Sequence, residues 1–314
     1  MICLGIESTA HTFGVAEVDS EGNIVSNVKD VCPNPFAIHP REASEHHVAV
    51  AADLVRQAMV KKPDLIAFSS GPGLGPCLVI GSVVARTIAD KLNLPLIGVN
   101  HCVAHLEIAK LTSGSKDPIF VYLSGGNSQI LSYVSGRYRA VGETLDIGLG
   151  NALDRFARSA GLKGAPEIEI LANKGKKLLE LPYTVKGMDF SFTGMVTHCQ
   201  RLIGKEPIED LCYSIQEYAF ATVNEVSERA MAALNKKELL LTGGVAANKR
   251  LQEMAAKMAE ERGGKSFVVV GEFAGDNGLM IAWTGMLMHK AGTSGNLKVN
   301  QKWRTDEVDI PWMG

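Results

Sequence analysis

His101 and His105 stand four residues apart in Asn100-His-Cys-Val-Ala-His105. On a helix, positions i and i+4 share a face, so the two imidazoles can share one metal ion. The peptidase version of this spacing is His-Glu-x-x-His, where the glutamate activates a metal-bound water. Cys102 stands in the glutamate's place, so the pair predicts an ion that holds or polarises something other than a peptide bond. A position in the first turns of a helix disfavours imidazolium and predicts neutral, ligating rings. A second pair, His46 and His47, follows a Glu-rich stretch and is expected to be solvated, with proton shuttling or RNA contact as the functional alternative. Three glycine turns, at 71–75, 125–126 and 243–244, could be loop punctuation. Each follows an apolar run, which favours phosphate binding, because glycine lets backbone N–H groups approach anionic oxygens.

The elements that must position these groups follow from hydrophobic period. Residues 2–6 and 13–18 read as two strands around a polar tip at 8–12, and 44–60 carries Val48, Ala51, Ala52, Val55 and Met59 at helical spacing. Residues 65–68 return as a strand before the first glycine turn and a helix reaching about 92. Another strand spans 96–99, and Asn100 is a suitable N-cap for the helix bearing the histidine pair. The pattern then repeats: strands 119–123 and 129–134 flank a Ser124-Gly-Gly-Asn-Ser128 tip, and strand 238–241 runs into Thr242-Gly-Gly-Val-Ala-Ala-Asn248 before a helix. Between these, 154–160 and a stripe from Leu211 to Ala233 read as helices, with surface loops at 174–177 and 187–194. Two such halves describe a duplicated α/β nucleotide-binding architecture, divided at 1–118 and 119–314, with the last helix and tail returning toward the first lobe.

Bulk properties agree with two lobes: 314 residues exceed the size at which one core usually keeps growing, roughly 250–300 residues. The first residues run from apolar directly to Glu7 without a basic region, and the late apolar run 279–288 is far below the roughly 18 residues of a membrane span. A cytoplasmic protein is expected. Six scattered cysteines without a Cys-x-x-Cys pair predict reduced thiols. A net charge of −2 gives no global attraction to nucleic acid, although a local patch can hide in a balanced total. The basic pairs Lys61-Lys62, Lys236-Lys237 and Lys249-Arg250 are expected to be solvated helix ends.

In order, the segments Gly5-Ile-Glu-Ser-Thr-Ala-His11, His39-Pro-Arg-Glu-Ala-Ser-Glu-His-His47, Gly71-Pro-Gly-Leu-Gly-Pro-Cys77, Asn100-His-Cys-Val-Ala-His105, Tyr122-Leu-Ser-Gly-Gly-Asn127, Asp189-Phe-Ser-Phe192, Gly243-Gly-Val-Ala-Ala-Asn248 and Asp276-Asn-Gly278 span essentially the whole chain. Together they resemble the universal tRNA threonylcarbamoyltransferase family: TsaD in bacteria, the catalytic subunit of KEOPS in archaea and eukaryotes. The details look archaeal. The resemblance implies a two-lobed ASKHA fold, shared with actin, sugar kinases and chaperone ATPases, with nucleotide and metal in the inter-lobe cleft. It implies transfer of a threonylcarbamoyl group from threonylcarbamoyl-AMP to the exocyclic amine of the adenine beside the anticodon in ANN-decoding tRNAs. No covalent nucleophile is expected, because a mixed anhydride is already activated.

Carried over residue by residue, the resemblance implies His101, His105, Tyr122 and Asp276 as ligands of one iron or zinc ion. It places the adenylate, or an adenine nucleotide, against Tyr122, Leu123, Ser124, Gly125, Gly126 and Asn127, with Gly243, Gly244 and Asn248 beside it and its ribose near Asp154 and Glu169. The family usually has Gly-Gly-Pro where this chain reads Gly164-Ala-Pro166, so the Ala165 methyl is expected to crowd that approach. Implied partners are tRNA, the KEOPS kinase-like ATPase and small dimerising subunit, and an upstream threonylcarbamoyl-AMP synthase. The rival expectations are a metallopeptidase, with Glu107 as a substitute base, an ASKHA-type ATPase, and a nucleotide-switched scaffold.

Overall fold

A computed structural model describes residues 1–33, 39–126 and 128–313. The chain forms two compact units, one of residues 1–112, 134–138 and 275–314 and the other of 113–133 and 139–274. The first opens with a three-stranded antiparallel meander, β1 (Ile2–Glu7), β2 (Thr12–Asp19) and β3 (Ile24–Val31). Helix α1 (Pro40–Ala58) then leads to β4 (Leu65–Gly71), and α2 (Gly75–Leu92) to β5 (Leu96–Asn100), both strands parallel to β1. The sheet order is β3-β2-β1-β4-β5. Helix α3 (His101–Ser113) starts where β5 stops, and Asn100 Oδ1 accepts Val103 N–H at 3.1 Å, the cap expected of it.

The second unit repeats this plan. Strands β6 (Ile119–Leu123), β7 (Ser128–Val134) and β8 (Arg137–Glu143) form its meander. A helical stretch follows: α4 (Leu149–Ser159), α5 (Ala165–Ala172), the short hairpin β9 (Val185–Lys186) and β10 (Asp189–Phe190), α6 (Thr193–Leu202) and α7 (Ile208–Ala233). Strand β11 (Glu238–Thr242), helix α8 (Lys249–Glu261) and strand β12 (Lys265–Val268) complete a sheet ordered β12-β11-β6-β7-β8. Short α9 (Gly271–Ala274) ends this unit, and α10 (Gly278–Lys290) belongs to the first. The duplication is therefore visible in strand order. Strands β3, β8 and β12, absent from the sequence expectation, are polar or partly exposed, as edge strands are when charges blunt their free backbone. The stretch 187–194, expected as a surface loop, instead holds buried Phe190 and Phe192 with rings 5.4 Å apart.

In the first unit Leu4, Ile6, Phe13 and Val15 pack with Ala51, Leu54 and Ala85 of α1 and α2. The sheet's other face takes α10, and here the glycines matter. A methyl at Gly5 would overlap the Ala282 backbone, and one at Gly14 would lie 2.8 Å from Gly278 N. Only a bare backbone lets α10 sit this close. Its N-cap, buried Asn277, accepts Met280 N–H at 3.0 Å and donates to Gly275 O at 2.8 Å, which fixes the residue before it, Asp276.

Candidate metal centre and nucleotide cavity

The first unit brings three of the four expected ligands together. His101 and His105 stack edge to face at 4.7 Å between centroids, and Asp276 Oδ1 lies 3.6 Å from His101 Nε2 and 3.2 Å from His105 Nε2. Their candidate ligand atoms all lie within 4.8 Å of one another. Tetrahedral ligands about 2.1 Å from zinc sit about 3.4 Å apart, so the spacing fits a first-row ion. Two imidazoles and a carboxylate suit zinc or iron.

A carboxylate that sequence reasoning missed braces the site. Glu7, wholly buried at the end of β1, lies 3.0 Å from His101 Nδ1 through Oε2. Its other oxygen accepts Thr9 N–H at 2.6 Å and Thr9 Oγ–H at 2.5 Å. With Nδ1 donating to Glu7, Nε2 is the atom His101 would present to an ion beside Asp276, the carboxylate–histidine arrangement that orients metal ligands. The available signal was an acid closing an otherwise apolar strand.

The electrostatics correct one expectation. The helix terminus predicted a neutral His101. Burial opposes its charge, but the carboxylates of Glu7 and Asp276 outweigh that and raise it to about 9. Burial likewise opposes the Asp276 charge, yet His101, His105 and His11 hold it well below the usual carboxylate range. Two carboxylates around two imidazoles call for positive charge, which a divalent ion supplies as well as protons do. The donor set and its electrostatics thus fit a metal. Cys102 offers no thiolate here, since burial pushes it up to about 11. Glu107 is no free base either: buried, it accepts Tyr138 Oη–H at 2.5 Å and Trp312 Nε1–H at 2.9 Å.

The second histidine pair is not solvated. His47 is completely buried on α1, edge-on to Phe13 at 5.3 Å, and His46 Nε2 lies 2.8 Å from Asp30 Oδ1. Their stretch is helical, part of the helix expected over 44–60, so one face points inward, and which face that is depends on what the helix packs against.

Tyr122, the fourth expected ligand, is buried near the end of β6 in the second unit. That unit holds a cavity of about 430 Å³, within the range of small-molecule sites. Gly125, Asp154, Ala165, Glu169, Gly244 and Asn248, all expected at the nucleotide, line it. Asp154 Oδ1 accepts Ala165 N–H at 2.9 Å and Glu169 Oε1 accepts Lys249 N–H at 2.9 Å, so each carboxylate keeps a second oxygen. The N–H at Ala165 is therefore spent on Asp154. Asn248 caps α8 through Leu251 N–H and donates to Gln216. Leu123 is buried, Ser124 O accepts Gly150 N–H at 3.2 Å, and Gly126 is exposed. Gly243 packs its backbone on Leu123 and lines a neighbouring cavity of about 300 Å³. Asn127 lies outside the described residues.

The glycine turn at 71–75 is occupied by the chain itself: methyls at Gly71, Gly73 and Gly75 would strike Asn300, Thr9 and Gln301. A groove of about 450 Å³ between α1 and α2 is lined almost wholly by aliphatic side chains and offers an adenylate no charged group. The Asp189–Phe192 segment is anchored at the start of α6, where Asp146 accepts Phe192 N–H at 3.0 Å and Thr193 N–H at 2.9 Å.

Residues 21–283 match the family model described as TsaD, tRNA N6-adenosine threonylcarbamoyltransferase. A Thermococcus kodakarensis protein named tRNA N6-adenosine threonylcarbamoyltransferase is 52% identical, over 99% of this chain and 100% of its own length. A Methanocaldococcus jannaschii protein named probable bifunctional tRNA threonylcarbamoyladenosine biosynthesis protein is 51% identical over the full chain, which spans 61% of that protein. Among solved structures, T. kodakarensis HypF matches with a TM-score of 0.66 at 18% identity, over 95% of this chain and 49% of that one, a likeness of fold. No helix among the described residues is long and apolar enough to cross a membrane.

Proposed function

The chain belongs to the tRNA N6-adenosine threonylcarbamoyltransferase family, a family of transferases with the ASKHA fold, and from that premise we propose the reaction its two sites support. The chain transfers threonylcarbamoyl from threonylcarbamoyl-AMP to the exocyclic amine of the adenine beside the anticodon of ANN-decoding tRNAs. The observation that carries this reading is the His101, His105 and Asp276 cluster braced by buried Glu7. These three side chains would hold an iron or zinc ion. When bound, the ion supplies Lewis-acid stabilisation of negative charge.

The rest falls to the chain's own groups. Asp154 and Glu169 present their free oxygens to the ribose hydroxyls, their other oxygens being fixed by backbone N–H groups. Gly125 and Gly244 let backbone approach the anionic part of the ligand at the cavity wall. The spare hydrogen of the Asn248 amide is available to the nucleotide. Glu7 and Thr9 hold the His101 ring in one tautomer. The amine nucleophile arrives with tRNA and the adenylate is already activated, so no side-chain nucleophile is needed. The engaged state of Glu107 and the protonated Cys102 thiol count against a peptidase.

The proposed partners are tRNA, the KEOPS kinase-like ATPase and dimerising subunit, and an upstream synthase of the adenylate. A transfer assay with tRNA and synthetic threonylcarbamoyl-AMP, run beside elemental analysis, tests the reading. His101→Ala should lose metal and tRNA modification together; full modification by the metal-free variant would sink it. Tyr122→Phe tests the expected fourth ligand by the same two measurements.

A further inference from the structure

Helix α4 is divided sharply between two faces. Leu149, Ala152, Leu153, Phe156 and Ala157 are buried, whereas Asn151, Arg155 and Arg158 are exposed at spacings of four and three. Its first turn is bonded to the tip of the β6–β7 hairpin: Gly150 N–H donates to Ser124 O and Asn151 N–H to Gly125 O, both at 3.2 Å. The stripe thus begins at the loop that lines the nucleotide cavity and runs about 10 Å along the helix to Arg158. At the far end Gln200 Nε2 donates to Ser159 Oγ at 2.6 Å, joining α6 to the end of α4 one residue before the exposed Arg201.

These cations are unusual within the chain. Of its twelve arginines, seven are ion-paired with carboxylates and Arg86 donates to Leu297 O. Among the described residues, Arg139, Arg155, Arg158 and Arg201 have no such partner; two of them lie on the exposed face of α4, and Arg201 follows Gln200, which bonds the end of that helix. The adjacent acids Asp154 and Glu167 each accept a backbone N–H, of Ala165 and Lys163, and neither pairs with these arginines. In a chain of net charge −2, like charges gathered without counter-ions repel one another and return nothing to the fold.

We propose that the exposed face of α4, extended by Arg201 of α6, is a docking track for the phosphate backbone of the RNA substrate. The proposal rests on the transfer reading above. Guanidinium is weakly hydrated and its planar fork matches phosphate oxygens two at a time, which is why arginine suits such contacts. An RNA backbone, unlike an acidic protein, would bring a base to the Ser124–Gly125 loop where the stripe starts, rather than cover it.

The test is fluorescence anisotropy of an ANN-decoding tRNA transcript with the purified chain across a KCl titration. Each lost phosphate contact lowers the slope of log affinity against log salt by about 0.7–0.9, so the triple variant R155A/R158A/R201A should lose about 2 in slope and bind about tenfold or more weakly at low salt. AMP binding should stay at the wild-type value, which shows that the cavity remains folded. A control removing two ion-paired arginines, R229A/R262A, should leave the slope unchanged. Wild-type affinity and slope in the triple variant, or an equal loss in the control, would overturn the track. If the wild type binds tRNA but transfers nothing from the synthetic adenylate, the transfer reading falls, and the slope still decides the track.

Discussion

Glu7 does for His101 what a second carboxylate does in many metal centres: it fixes the ring from behind, at 3.0 Å from Nδ1, while Nε2 faces Asp276. Glu7→Gln keeps the shape but removes the charge, so metal affinity should fall about 10–100-fold in a chelator competition, with the fold retained by circular dichroism. An unchanged affinity would reduce Glu7 to a packing role. His47 makes a different prediction. Burial, followed by the charges of His46 and His11, lowers it to about 4 against the weaker pull of Glu7 and the Ser8 backbone. Its unfolded value is about 6.5, so the unfolded chain binds the extra proton between those values. The neutral ring's stability contribution is therefore complete above pH 6.5 and is lost as pH falls toward 4, by about 3 kcal/mol at most. Urea unfolding of wild type and His47→Phe at several pH values checks this through their difference. A difference that does not change between pH 7 and 4.5 would remove His47 from the account. The sequence showed both histidine pairs as spacings, yet their environments depended on helix α1 meeting strand β2 at Phe13 and helix α3 meeting strand β1 at Glu7, which no spacing reports.

At the scale of elements, α10 decides where Asp276 stands. Gly5, Gly14 and Gly278 allow the close approach, and Asn277 fixes the helix start with both ends of its amide. Asn277→Ala leaves Met280 N–H and Gly275 O without these partners, and should cost about 2–3 kcal/mol and weaken metal binding together. Stability loss with undiminished metal affinity would show that the cap holds the helix but not its ligand. The helix itself was legible as an apolar run. What it packs against was not, because a glycine in a strand records that some backbone comes near without saying which. Strands β3 and β8 were missed for the opposite reason: exposed edges carry the polar residues that period-based reading assigns to loops.

For the whole molecule, the metal ligands within the first unit and the cavity carboxylates within the second are fixed by separate local networks. His101→Ala should therefore abolish metal binding while leaving AMP affinity within about twofold, and Asp154→Asn should weaken AMP about tenfold while keeping the metal, changes of about 0.4 and 1.4 kcal/mol. Calorimetric titration with AMP and metal analysis of each variant measure both; loss of both ligands in either variant would mean the two networks are coupled. The duplicated plan was readable beforehand, since hairpin tips and strand–glycine–helix joints recur in order, and hydrophobic period together with turn chemistry are local properties of a chain. The family was readable for the same reason, through motifs whose order survives without coordinates. Tertiary structure alone decided that Glu7 and Asp276, separated by most of the sequence, flank one imidazole, that the 71–75 turn is filled by the chain's own Thr9, Asn300 and Gln301, and that Arg155 and Arg158 stand exposed on α4 without an ion-pair partner. Charge balance, burial and ligation depend on distances through space, and a sequence orders its residues only along the chain.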